Sequence, residues 1–166
     1  MALQYIGNVP TLDRNQVGAP KGVDMKTFQE LHGHRINGIF LANDAWTLVF
    51  RTTEGKWLRW DTENDCCNTV WVNHITGVNC VGEGNVFDLL RGALVTGSED
   101  KGWDDNRANP EDEYDVIQDG FWTIHTDRGY IDIEVRNSHN GYYGGSFNFS
   151  EQGIEDLELV EVLDDF

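Results

Sequence analysis

Cations are scarce in this chain. Twelve Lys and Arg face 29 Asp and Glu, for a formal net charge of −17 at pH 7. Such a surface repels phosphate, which argues against direct binding to nucleic acid or to an anionic membrane face. Two readings of the acidity stay open: solubility, or mimicry of nucleic-acid charge aimed at a basic DNA-binding protein. Long apolar runs are missing too, and nothing approaches the ~18 residues a membrane-spanning helix needs. The start, residues 1–18, has neither a basic n-region nor an apolar h-region, so the expected place is a cytoplasm. Cysteine is limited to Cys66, Cys67 and Cys80. An odd number without a secretory signal suits reduced thiols rather than a disulfide frame. No internal repeat is visible, which excludes solenoids and propellers.

What is present suits one folded domain. The chain has 166 residues, 39% hydrophobic and 11% aromatic, with six Trp. That is enough to bury a core without staples. The expected class is mainly β, bordering on α+β: an antiparallel sheet of about seven strands, two short helices and an extended N-terminal arm. Residues 1–23 hold Pro10 and Pro20 with no clear period and read as the arm, a candidate for lacing subunits into a homo-oligomer. Residues 24–166 read as the single mainly-β domain. Asp24 is a candidate cap for a helix over 25–32, with Met25, Phe28 and Leu31 at helical spacing and Gly33 beyond its end. Asn85 is the candidate cap of a second helix over 86–91.

Strand patterns follow over 35–42, 45–53, 56–61, 68–75, 93–96, 146–149 and 157–163. Glu54-Gly55 is the expected turn of one hairpin. A clearer hairpin pairs 120–126 with 130–136 through Asp127-Arg128-Gly129. In it Ile131, Ile133 and Val135 face one way and Asp132, Glu134 and Arg136 the other. Residues 97–119 are rich in Asp, Glu and Asn and read as a long acidic loop. The expected core is Phe28, Leu31, Ile36, Ile39, Leu48, Phe50, Leu58, Val70, Val72, Leu89, Trp122, Ile124, Ile131, Ile133 and Val135.

Candidate chemistry is sparse, and no catalytic residue, metal ligand set or cofactor is expected. Asn137–Gly145 sets Asn140, Tyr142 and Tyr143 among glycines. Tyr, Gly, Ser and Asn are the residues of adaptable recognition loops, and Tyr offers large contact area at little entropic cost. Acidic neighbours, Asp104, Asp105, Glu111, Asp112 and Glu113, would steer a basic partner toward it. They lack the alternating spacing of a calcium loop. Adjacent Cys66 and Cys67 cannot easily share one metal, because successive strand side chains point to opposite faces. A disulfide between them would force a strained peptide, so they are expected unjoined. A metal or small-ligand site built from Cys66 or Cys67 with His74 and Cys80 stays open, beside the plainer reading in which one Cys packs as a small core hydrophobe and the other borders a loop. His32 and His34 flank Gly33 and could share a strand face, or favour a helix C-terminus. His125 and His139 fall on a strand face and in a loop.

Three segments in order resemble a known family. They are Asp65-Cys66-Cys67 with Val70-Trp71-Val72; Phe121-Trp122-Thr123-Ile124 through Gly129-Tyr130-Ile131; and Ser138-His139-Asn140-Gly141-Tyr142-Tyr143. Together they are similar to a family of small phage and bacterial proteins classed as a domain of unknown function. The likeness covers roughly Phe28 to Phe149 and implies a phage or prophage source, with no activity attached. One departure is Thr62, which stands where members of that family often carry a His. The expected function is a non-enzymatic, phage-encoded acidic binding protein with a protein partner, in its most concrete form an inhibitor of a host defence or DNA-handling factor. The alternatives are a virion decoration protein, or a ligand-binding protein or enzyme using Cys66, Cys67 and His74.

Overall fold

The computed structural model describes residues 27–64, 66–78, 86–104, 107–109, 112–141 and 144–164. The arm, the capping residues Asp24 and Asn85, Cys80, Asp105, Glu111, Tyr142 and Tyr143 lie outside them. Among the described residues ten strands form two antiparallel sheets rather than the one sheet expected. The first sheet has the order β10-β1-β2-β3-β9, with β1 at Ile36–Ala42, β2 at Thr47–Thr52, β3 at Trp57–Thr62, β9 at Phe147–Ser150 and β10 at Val160–Glu161. The second has the order β4-β8-β7-β5, with β4 at Asn68–Val78, β5 at Val95–Trp103, β7 at Asp112–Thr126 and β8 at Gly129–His139. A short β6, Arg107–Asn109, also pairs with β7. Among the described residues the one α-helix, α1, spans Val86–Leu90. Among the described residues no helix is long and apolar enough to cross a membrane.

One hydrophobic cluster draws on both sheets. Ile39, Leu48, Phe50 and Trp60 of the first join Val70, Val72, Trp122, Ile124, Ile131, Ile133 and Val135 of the second. The period-two alternation of β8 is what puts Ile131, Ile133 and Val135 inside, each buried. Leu89 differs from expectation: it stays half-exposed while Phe87 and Leu90, three apart on α1, are buried. Leu58 packs at the margin of the cluster. Trp60, Ile75, Val95 and Phe147 are core residues that the patterns did not mark.

Three local differences have physical causes. Of the helix expected at 25–32, the described residues 27–32 hold only a 3-10 turn, Gln29–Leu31, because Phe28 takes a left-handed φ of 71°. Phe28 is fully buried, with ring centroids 4.8 Å from Trp60, 5.9 Å from Phe50 and 5.8 Å from Phe147. Aromatic burial outweighs helix propagation over so short a segment. The strand read from Ala45 begins at Thr47, because Asn43, Asp44 and Ala45 are all left-handed, with φ of 54°, 55° and 67°. The supposed acidic loop at 97–119 is mostly strand, from β5, β6 and the first half of β7. Its ladder carries bulges at Val95/Gly97 and Asp100/Gly102, which break the alternation a sequence pattern relies on.

Glycine does steric work at two points. Gly55, with φ 84°, turns β2 into β3, and its N–H donates to the Thr52 carbonyl at 3.0 Å. Gly120 lets Trp103 lie across β7: a Cβ there would sit 2.8 Å from both the Trp103 and the Trp122 ring. Those rings meet edge to face at 5.5 Å. Gly120→Ala should therefore cost about 1–3 kcal/mol of overpacking in chemical denaturation. The same change in a Trp103→Ala background should cost less, with the contact to Trp122 remaining, and equal costs would show that Trp103 is not among what the methyl meets.

Candidate binding site

The far end of the second sheet gathers several of the residues singled out by sequence. β8 ends at His139, whose Cα partners are Asn68 at the start of β4 and Val116 on β7. Asn140 and Gly141 follow directly and are exposed. Gly141 N–H donates to His139 Nδ1 at 3.0 Å, so the buried imidazole fixes how the loop leaves the strand. Asp112 begins β7 beyond the same end, with Glu113 next to it. Cys66 and Cys67 form the turn that enters β4 there. Glu63 N–H reaches the Ser146 carbonyl at 3.2 Å and so ties that turn to the far side of the loop.

Asp104 has a structural task. Its N–H donates to the Asp119 carbonyl at 2.7 Å, and its carboxylate accepts the Asp119 N–H at 2.8 Å. Asp119 is only 3% exposed and receives Arg136 Nε at 2.8 Å. Arg136 also reaches Glu134 at 3.3 Å, and Glu134 accepts from Asn73 at 2.6 Å. The Arg136 pKa is raised, first by its hydrogen bond to Asp119, against the opposing effect of burial, and then by the charges of Asp119, Glu134 and Asp104. This network ties three strands together across the outward face.

The same face holds a shallow groove of about 290 Å³, lined by His74, Thr76, Lys101, Phe121, Asp132 and Glu134. Sequence reading placed Asp132 and Glu134 outward but did not find the groove, because Lys101 arrives from the supposed loop. Its only advance sign was Phe121, an aromatic on the polar phase of β7.

Other candidates separate. Cys67 stands in the turn before β4 and His74 well along that extended strand, roughly 20 Å on at ~3.3 Å per residue, so they do not form a joint site. Cys66 and Cys67 stand in a turn and are not joined by a disulfide, with Sγ atoms 3.2 Å apart, so their sulfurs meet instead of pointing to opposite faces. His32 bonds Ser98 Oγ at 2.9 Å while His34 faces Glu54 at 3.5 Å, so these two do not converge. Glu54, fully exposed, has its pKa lowered mainly by the Thr52 hydroxyl, with His34 a smaller cause. His125 stands 3.5 Å from Glu99 and beside Tyr130. Thr62 donates its hydroxyl to the Trp46 carbonyl at 3.1 Å. Among the described residues no group of three or more His, Cys, Asp or Glu could hold a metal.

A family model described as a domain of unknown function, DUF7448, matches residues 29–149. The chain belongs to the DUF7448 family. That span takes in the 3-10 turn and β1 through most of β9, so the second sheet, most of the first and the gathered strand end fall within the match. The strand β10 and the segment leading to it lie outside the match. No curated protein and no solved structure matches the chain.

Proposed function

We propose that this chain is a non-enzymatic binding protein that takes a basic protein partner. Its most specific form is a phage-encoded inhibitor of a host defence or DNA-handling factor. The supporting observation is how the charge is distributed. Arg35, Arg59, Arg91, Lys101 and Arg136 each sit within 4.0 Å of one of the chain's own carboxylates. Those cations are locally neutralised, while Glu30, Asp44, Glu63, Glu151, Glu155, Asp156 and Glu158 are exposed. The net field attracts a basic surface and rejects nucleic acid. The recognition loop that begins at Asn140 supplies the proposed anchors, Tyr142 and Tyr143, flanked by Asp104, Asp105, Glu111, Asp112 and Glu113.

The test is a salt series on a partner captured from host lysate. Between 0.1 M and 1 M salt the Debye length contracts from about 10 to about 3 Å, so affinity should fall by roughly tenfold or more. A flat response removes the electrostatic reading. A Tyr142→Ala/Tyr143→Ala variant that melts like the parent but binds as tightly would remove the anchors. Mass spectrometry of purified particles separates this reading from a virion component.

A further inference from the structure

We propose that Cys66 and Cys67 act as one two-sulfur chelate for trivalent arsenic species. The pair sits in the turn between β3 and β4, with Cys66 exposed and Cys67 half-exposed. Their Sγ atoms are 3.2 Å apart, both on the same side of the turn. The turn around them is held from within the fold. Asn64 Oδ1 accepts the Val70 N–H, and Asn68 Nδ2 donates to the Glu63 carbonyl at 3.4 Å. The sulfurs are therefore presented together rather than brought together on binding.

That separation selects among thiophilic ions. With sulfur bonds of about 2.3 Å, a 3.2 Å spacing subtends roughly 90° at a shared atom. Structural zinc is tetrahedral, at about 109°, and usually wants four protein ligands. No such set of His, Cys, Asp or Glu exists here among the described residues. Trivalent arsenic bonds pyramidally at angles near 90° and needs only two protein sulfurs when it carries its own third substituent. Soft thiolate sulfur suits it. The reaction is a condensation without redox change. From the hydrated arsonous form, R–As(OH)2, two S–H and two As–O bonds break, two As–S and two O–H bonds form, and two waters leave while arsenic stays trivalent.

The probe is phenylarsine oxide, applied to the full reduced chain and read by intact mass and free-thiol titration. One arsenical per chain is expected, with the loss of two titratable thiols. Because the second sulfur acts intramolecularly, Cys66→Ser and Cys67→Ser should each weaken capture by about a hundredfold or more. Cys80→Ser should leave it unchanged. A dithiol competitor should strip the adduct, while a monothiol at equal concentration should not. Melting curves keep the test sharp: the exposed Cys66 site should tolerate serine, so a folded Cys66→Ser variant that still takes one arsenical with parental affinity overturns the proposal. So does loss of capture on Cys80→Ser alone.

Discussion

Arg136→Met should cost about 3–5 kcal/mol of unfolding free energy, because it removes the guanidinium that neutralises a buried carboxylate. Asp119 is 3% exposed, and Arg136 meets both its oxygens, at 2.8 and 3.5 Å. Methionine keeps much of the apolar stem and removes the charge. Asp119 would then lie near Asp104 and Glu134 without the guanidinium that offsets all three. Arg136→Lys retains a charge but loses the fork, and should lose less. Pairing the change with Asp119→Leu removes both charges, so the double variant should be more stable than Arg136→Met alone. Urea unfolding of the three variants decides it. A loss under about 1 kcal/mol for Arg136→Met would mean that water already reaches Asp119.

This pair was partly legible in the sequence. Once Thr126 faces Gly129 across the turn, the antiparallel ladder sets Asp119 opposite Arg136 with no further information. The hairpin was visible in its alternation, yet its β7 arm was stopped at Gly120 because the residues before it are acidic. Strand identity there depends on ladder bonds and on Val116 and Ile117 rather than on average polarity. The division into two sheets was not legible for a different reason. β9 joins β3 through Arg59 and Ser150, and β10 joins β1 through Phe40 and Glu161. Pairings that distant leave no local periodicity. The expected strand 157–163 also shrinks to Val160–Glu161, with Val160 65% and Leu163 53% exposed. Of the candidate site, Asn140 and the start of β7 fall at one end of the sheet, whereas the sulfur contact of Cys66 and Cys67 depends on a turn conformation that spacing does not encode.

Trp60→Ala should cost about 3–5 kcal/mol, and Trp60→Phe far less. Trp60 is fully buried on β3, with ring centroids 4.8 Å from Phe28, 5.6 Å from Phe50 and 5.3 Å from Phe149. It was missing from the expected core because its strand, Trp57–Thr62, mixes Trp, Arg and Asp. Alanine there removes the ring around which the Phe28 turn and β2 pack, and the cavity is walled by sheet that cannot collapse into it. Phenylalanine keeps most of the contact area and deletes the indole Nε1–H, which is buried and finds no acceptor among the described residues. An unmatched buried donor costs about 1–3 kcal/mol, so its removal offsets part of the lost burial. Denaturant midpoints for both variants, at unchanged m-value, are the measurement. If phenylalanine proves as damaging as alanine, the indole N–H has a partner in solution and this account of the core is wrong.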